Sequence, residues 1–388
     1  MRFKKIIGKI HLWLGLASGL VVVFLGITGC ILAFENEIRA LTETYREVPV
    51  QSKPFLPPTV LKQVAENHLT SKKSLGVEYP GAGKAAVSAY YDENNYELVF
   101  LDPYTGAFLK HKNMNSDFFR VVLDGHFYLW LPPNIGQPIV ASATLIFLVM
   151  LITGLILWWP KNKAARKQRF SIKWTAKWRR KNYDLHNVLG FYMTWVAIFI
   201  AITGLVWGFE WFSNSLYWAT SGGKKMIEEK HPESDTTKMG AVANVTDLVW
   251  ALHKNEVKAD EGLSIYFAGD SLAPVEAFIN HRPGTYYNMD AYHYDQYTGK
   301  EMPVAGVYAG KFKDAKVADK IRRMNYDIHV GAVLGLPGKI MAFFASLIAA
   351  SLPITGFIIW WGRRKKAKAA SPVIKPESDT DVEPVLSA

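Results

Sequence analysis

The chain has 388 residues, of which 49% are hydrophobic and 13% aromatic, and its 45 Lys and Arg residues outnumber 34 Asp and Glu. This apolar content excludes an intrinsically disordered chain, and the single cysteine, Cys30, excludes a disulfide scaffold. The apolar residues are concentrated in four long blocks, which excludes a purely soluble globular protein.

The four apolar blocks predict four membrane-spanning helices, because each is long enough to cross a hydrocarbon core of about 30 Å. In chain order we expect a basic N-terminus (1–9), a first span (10–34), a long polar segment (35–136) and a second span (137–159). A basic loop (160–184), a third span (185–209), a second long polar segment (210–335), a fourth span (336–361) and a disordered tail (362–388) follow.

The positive charge lies in the short segments beside the spans. Residues 1–10 carry four Lys and Arg and residues 161–182 carry ten, both without an acidic residue, and five more lie within 362–369. The two long segments are slightly acidic. By the positive-inside rule, both termini and the basic loop are cytoplasmic and the long segments are outside. Topology and contact with anionic lipid account for the basic residues, so no nucleic-acid partner is expected.

The chain repeats a histidine that is followed at a set distance by a Thr-Gly pair. The distance from His to Thr is 17 residues in the first and third spans, and 27 or 26 residues where the histidine precedes the second or fourth span. The pairs are His11 with Thr28, His186 with Thr203, His126 with Thr153, and His329 with Thr355. Repeats of this kind constrain a fold strongly.

The long segments repeat as well. Each contains a strand-like run followed by Asp-x-Tyr-Thr-Gly, starting at Asp102 and at Asp295, which predicts a strand entering a tight turn with the glycine at positive φ. The predicted fold class is therefore a membrane α-helical protein with external α+β modules, built from two tandem helix–module–helix repeats.

The four repeated histidines are candidate ligands, because ionisable rings near hydrocarbon are rare and usually functional. His11 and His186 begin the first and third spans, and small residues four and eight positions later leave a slot for a flat group. His126 and His329 precede the second and fourth spans. Two facing imidazoles suit bis-histidine haem and electron transfer, whereas zinc normally takes four ligands. The alternative is that these histidines only cap helix ends at the headgroup level.

Three aspartates, Asp124, Asp184 and Asp327, lie two residues before a candidate histidine and are expected to accept the second ring N–H. The remaining histidines are interpreted as surface or turn residues: His68, His111, His231, His253, His281 and His293. Several aromatic side chains are expected between the two faces of the membrane: Phe24, Trp195, Phe199, Phe343 and Phe344.

These motifs together resemble the PepSY-associated transmembrane family, over residues 3–366. The resemblance is carried by Arg2-Phe-Lys-Lys, Lys9-Ile-His11-Leu-Trp-Leu-Gly15, Ile27-Thr28-Gly29, the Asp-x-Tyr-Thr-Gly module and Asp184-Leu-His186-Asn-Val-Leu-Gly190. Members of that family include bacterial inner-membrane reductases of ferric siderophores, with four spans, periplasmic PepSY-like modules and two haems. The resemblance implies that His11 and His186 bind an inner haem b and that His126 and His329 bind an outer one.

The expected function is a di-haem electron-transfer protein of the bacterial inner membrane that reduces an Fe(III)-siderophore, or another ferric chelate, in the periplasm and releases Fe(II). The electron donor, a quinol or a cytoplasmic reductase, stays open. Two alternatives remain. One is a haem-bearing membrane subunit of a different oxidoreductase, and the other is a haem-less anchor whose PepSY-like modules bind peptides or regulate a protease.

Overall fold

The computed structural model describes residues 2–160 and 162–369. Twelve α-helices and seven β-strands lie within these residues. The helices are α1 (Arg2–Ala33), α2 (Glu35–Thr42), α3 (Pro58–Glu66), α4 (Phe118–Tyr128), α5 (Pro133–Trp158), α6 (Lys163–Arg169), α7 (Trp178–Gly208), α8 (Glu210–Thr220), α9 (Val245–His253), α10 (Val317–Arg323), α11 (Asn325–His329) and α12 (Leu336–Ala369). The strands are β1 (Gly76–Tyr79), β2 (Ala86–Tyr91), β3 (Tyr96–Leu101), β4 (Phe108–Asn113), β5 (Gly262–Tyr266), β6 (Val275–Asn280) and β7 (Met289–Tyr294).

Four helices, α1, α5, α7 and α12, are long and apolar enough to cross a membrane, which confirms the four predicted spans. The helices extend beyond the predicted apolar blocks. The third begins at Trp178, inside the predicted basic loop, and the fourth continues to Ala369. Residues 362–369 are therefore helical rather than disordered, because the basic run that follows the apolar block favours helix as well. The rest of the predicted disordered tail, 370–388, lies outside the described residues.

The four spanning helices form a bundle in which α1 and α7 each pack against both α5 and α12. Small residues on α12, among them Ala345 and Ala349, are buried at these contacts, as is Ala197 on α7. Without a hydrophobic driving force in lipid, close van der Waals packing of such small residues holds spanning helices together. We call the bundle end beside the β-strands the sheet end and the opposite end, beside α6, the loop end.

The strands form one antiparallel sheet in the order β4-β3-β2-β1-β5-β6-β7. The sequence predicted a module in each long segment, but it did not predict that the two share a sheet. β1 pairs with β5 along its whole length, with Gly76 opposite Tyr266 and Tyr79 opposite Leu263. This pairing removes two exposed strand edges, which explains why the two segments form one layer.

One face of the sheet packs against α3 and α9. Alternating residues of each strand, such as Val77 on β1 and Ala277 on β6, form a core with Leu61 of α3 and Val249 of α9. This is the period-two pattern of a half-buried strand. The predicted turns are also confirmed, because both Asp-x-Tyr-Thr-Gly glycines have positive φ.

Short helices connect the sheet to the bundle at the sheet end. α4 packs against α1 and α5, and α11 packs against α7. The chain turns sharply between α4 and α5, with Leu129 and Trp130 both at positive φ. A Cβ atom on Gly136 would lie 2.0 Å from the carbonyl oxygen of Tyr128, so only glycine lets the first turn of α5 accept the end of α4. This contact joins α4, which carries His126, to the start of α5.

Two pairs of histidines as a candidate cofactor site

Each of the four candidate histidines is held by one threonine of a neighbouring element. The ring nitrogen Nδ1 lies 2.8–3.0 Å from the threonine Oγ1 in every case. The pairs are His11 with Thr153, His126 with Thr28, His186 with Thr355, and His329 with Thr203. The threonines are those of the Thr-Gly pairs, whose spacing from the histidines was visible in the sequence although their role was not.

The hydrogen bonds of the threonines determine which ring nitrogen carries the proton. Each threonine hydroxyl donates to the backbone carbonyl four residues earlier in its own helix, as Thr28 does to Phe24 at 2.9 Å. The hydroxyl oxygen therefore accepts the Nδ1–H of the histidine, and at His329 the carbonyl oxygen of Ile200, 3.0 Å from Nδ1, is a second acceptor. The proton on Nδ1 leaves the lone pair on Nε2, and no Nε2 atom of the four histidines has a hydrogen-bond partner among the described residues. Each ring is thus oriented and presents a free ligand atom.

At two of the four sites, the glycine after the threonine makes room for the histidine ring, whereas a Cβ on Gly29 or Gly154 would make only ordinary contact with the ring, at 3.7 and 3.6 Å. A Cβ atom on Gly204 would lie 3.3 Å from Cε1 of His329, and one on Gly356 would lie equally close to Cε1 of His186. At these two sites the Thr-Gly pair thus supplies both the acceptor for the ring and the space that the ring occupies.

His126 and His329 face each other at the sheet end, with ring centroids 6.3 Å apart. Two imidazoles that bind one ion end-on, at a metal–nitrogen distance of about 2.0 Å, have centroids roughly 6 Å apart. The observed separation therefore suits two nitrogen ligands on opposite sides of one metal ion. Trp207 lies beside this pair, with its ring 5.3 Å from that of His329.

His11 and His186 line a common cavity of about 510 Å³ at the loop end. Gly15 and Gly190, four residues after these histidines, line it too, which agrees with the predicted slot. The rim of the cavity carries three basic side chains: Lys4, Arg169 and Arg363. A cavity of this size with few polar groups has the usual character of a cofactor or small-molecule site.

The three aspartates do not take the role predicted for them. Asp184 forms an ion pair with Arg180 at 2.9 Å, and Asp124 lies 3.5 Å from Arg120. Asp327 accepts hydrogen bonds from the backbone amides of Tyr286 and Tyr287. A side chain two positions from a histidine on a helix points away from it, so a threonine of another helix reaches Nδ1 instead.

The aromatic residues expected between the histidine pairs are also placed differently. Trp195, Phe199 and Phe344 are more than half exposed on spanning helices and so face the surroundings of the bundle. Phe24 packs against Trp130 at the sheet end, and Phe343 packs against Phe34.

The two histidine pairs are separated by most of the length of the bundle. His11 and Thr28, which contacts His126, are 17 residues apart on α1, a rise of about 25 Å. The interior between the pairs is an apolar cluster that includes Leu151, Met193 and Ala349.

A series of aromatic side chains extends towards the sheet from His126 and His329, which we call the outer pair. Trp207 lies 6.3 Å from the ring of Tyr326, and Tyr326 lies 4.9 Å from that of Tyr286. Tyr286 is 60% exposed, so this series of rings joins His329 to the protein surface.

Four helices long and apolar enough to span a membrane, with an antiparallel sheet outside their bundle, define a multi-pass helical membrane protein with α+β modules. The chain belongs to the family described as the PepSY-associated TM region, whose profile matches residues 9–363. This match confirms the family resemblance seen in the sequence. Comparison with curated proteins finds no match to the chain.

Proposed function

We propose that this protein carries electrons across the bacterial inner membrane through two bound haem b groups and reduces a ferric chelate, such as an Fe(III)-siderophore, in the periplasm. The observation that carries the proposal is the orientation of the four histidines. In two pairs at opposite ends of the bundle, Nδ1 is held by a threonine and Nε2 is left free.

The residues at both pairs fit this cofactor. The outer rings have the separation of two ligands on one ion, and the inner rings share a cavity with glycine walls. The basic side chains at its rim, such as Lys4 and Arg363, have the charge needed to bind the carboxylates of haem. Bound haem would supply one-electron chemistry, since two imidazole ligands leave no open position on the iron.

The charge distribution supports the direction proposed for the transfer. By the positive-inside rule, the basic segments favour a cytoplasmic loop end and a periplasmic sheet. An electron from a quinol or a cytoplasmic reductase is delivered at the His11–His186 pair. An apolar cluster of the bundle lies between the two pairs.

The reaction at the sheet end is a one-electron reduction. Fe(III) in the chelate accepts one electron and becomes Fe(II), which the chelator binds less tightly, and the donor is oxidised by the same amount. The rings of Trp207, Tyr326 and Tyr286 connect His329 to an exposed position where a bulky chelate can approach. Asp327 holds the backbone of Tyr286 in this position.

The first test is the absorption spectrum of the detergent-purified protein, oxidised and dithionite-reduced, with pyridine quantification of haem. We expect two haems per chain and a sharp low-spin α-band, and His11→Ala and His329→Ala should each remove one. His68→Ala is the matched control, because His68 stacks on Phe108 in the sheet layer. A spectrum without a Soret band would overturn the proposal and favour the haem-less anchor.

The second test measures turnover. Reduced protein is mixed with a ferric hydroxamate or catecholate chelate, and the return of the oxidised spectrum is followed. The Ga(III) complex of the same chelator is the control, because it has a similar shape but does not accept an electron under these conditions. Full haem content without oxidation by any ferric chelate would contradict the reductase role and favour a haem subunit of another oxidoreductase.

A further inference from the structure

Three side chains outside the bundle meet at the edge of the sheet that β7 forms. His231, in the loop after α8, has its Nδ1 atom 3.0 Å from Oε1 of Glu276. His293 has its Nε2 atom 3.3 Å from the same oxygen. The potential ligand atoms of the three residues all lie within 4.8 Å of one another. We call this group the His231–Glu276–His293 cluster.

The pairing register of β6 and β7 brings two of the three residues of this cluster together. Glu276 on β6 and His293 on β7 are directly opposite in the antiparallel pair. Their neighbours Val275 and Tyr294 point into the core formed with α3 and α9, so Glu276 and His293 lie on the other face of the sheet. The His231 ring reaches that face from the loop, with its centroid 5.7 Å from that of His293.

His293 is the unusual member of the group. Its side chain is only 2% exposed, and neither ring nitrogen has a hydrogen-bond partner. The contact with Glu276 is close enough for an ion pair but lacks hydrogen-bond geometry. Leaving a buried polar group without a partner costs about 1–3 kcal/mol, so a native protein keeps such a group only where something else uses it.

The other half of the same sheet shows that the fold does not require these residues. Alignment of the two Asp-x-Tyr-Thr-Gly turns makes Phe100 on β3 the counterpart of His293. The residue opposite Phe100 is Val87, as Glu276 is opposite His293. The first half of the sheet therefore accommodates an apolar pair at these two positions. The polar pair at the same positions in the second half needs a separate explanation.

We propose that the His231–Glu276–His293 cluster binds one divalent first-row transition metal ion, with two imidazole ligands, one carboxylate ligand and the remaining positions open. Ligand atoms around a tetrahedral ion at about 2.1 Å lie roughly 3.4 Å apart, close to the two measured distances. Two histidines and one carboxylate are a ligand set typical of zinc and of non-haem Fe(II). This site is separate from the four histidines of the bundle and does not depend on their binding haem.

Zn²⁺ is the probe for the test. The full chain is purified in detergent together with any haem that it binds, and divalent metal is then removed with a chelator. This protein is titrated with Zn²⁺ by calorimetry, and bound metal is counted by mass spectrometry. We expect one saturable site per chain. The double variant Glu276→Val, His293→Phe copies the pair of the first half of the sheet and should abolish this site. His231→Ala should weaken binding by more than the roughly 10–100-fold that follows loss of an outer partner.

Two controls keep the outcome unambiguous. His68→Ala should retain the metal, and the haem content of the His68 variant and of the cluster variants should equal that of the unchanged chain. On the unchanged chain, one equivalent of Zn²⁺ should protect His231 from diethyl pyrocarbonate but not His68. Absence of a saturable site, or a site that survives the double variant, would overturn the proposal. So would a site lost in His126→Ala instead.

Discussion

The hydroxyl oxygen of Thr28 lies 2.8 Å from Nδ1 of His126, a residue 98 positions further along the chain. Because Thr28 donates its own proton to the carbonyl of Phe24, it accepts the imidazole proton. The same arrangement recurs at the other three histidines. One hydrogen bond thus links two helices, orients a ring and directs its free lone pair into the site.

We expect Thr28→Val to weaken the outer site without unfolding the protein. Valine has nearly the same shape but no acceptor, so the Nδ1–H of His126 loses its partner, at a cost of about 1–3 kcal/mol. Loss of such an outer partner typically lowers ligand-site affinity about 10–100-fold. Haem titration and the midpoint potential report the change. Thr144→Val is the control, because Thr144 donates to the carbonyl of Val140 and bonds to no histidine among the described residues. An unchanged potential and affinity in Thr28→Val would show that the hydrogen bond has no role in the site.

We expect Gly356→Ala to weaken haem binding at the inner site. The new methyl group would meet Cε1 of His186 at 3.3 Å and push the ring away from its hydrogen bond with Thr355. Alanine favours helix over glycine by about 1 kcal/mol, so the helix itself should not be weakened. Haem content per chain is the measurement. Gly362→Ala, on the same helix and with no atom near its Cβ position, should keep both haems. Equal haem content in the two variants would contradict the steric argument.

We expect Tyr286→Ala to slow the oxidation of the reduced protein by a ferric chelate while haem content stays constant. The substitution removes the exposed end of the series of rings that starts at His329. Asp327→Ala should have a similar effect, because it releases the backbone amides of Tyr286 and Tyr287. Stopped-flow absorption measures both rates. Tyr91→Ala is the control, since Tyr91 is 59% exposed on the sheet but outside the series. Equal rates in all of these variants would remove Tyr286 from the proposed path.

We expect the protein to lose stability between about pH 5 and pH 2, in part because the carboxylates of a buried ion-pair network beside the sheet become protonated. Burial would raise the pKa of Asp117, but hydrogen bonds from Arg39 and Lys112 outweigh it and hold that pKa well below its usual range. Burial likewise opposes the shift at Glu43, whose pKa falls to about 2 through bonds from Lys112 and Arg46. A carboxyl group whose pKa is lower in the folded protein stabilises the fold at pH values above its ordinary pKa. This contribution is lost as the pH falls through the pKa of the folded state.

The network is tested with Asp117→Asn. This change removes the most buried of the three carboxylates that pair with Arg39, which keeps Glu35 and Glu43, and should cost about 1–3 kcal/mol at neutral pH. Thermal unfolding in detergent, measured from pH 7 to pH 3, should show a flatter pH dependence for the variant. Glu93→Gln is the control, because Glu93 lies on an exposed turn of the sheet. Parallel curves for Asp117→Asn and the unchanged protein would exclude the network as a source of acid sensitivity.

The four spans were predictable because apolar length is a local property of the chain, and α1, α5, α7 and α12 match the predicted blocks. The positive-φ glycines of the two turns were predictable for a similar reason, since a five-residue motif determines the turn. The partners of the histidines were not. The sequence placed Asp184 two residues from His186, whereas the ring bonds to Thr355, which is 169 residues away.

By itself, the sequence determined which segments cross the membrane, where the charge lies and which four histidines recur, because hydropathy, charge and spacing are written along the chain. Only the tertiary structure decided that β1 pairs with β5 to make one sheet, and that threonines of neighbouring helices hold the rings. It also brought His231 next to His293, two residues that the sequence had assigned to surface or turn positions. The physical reason is that hydrogen bonds and ligand sites depend on distances of about 3 Å, which only the packing of distant elements sets.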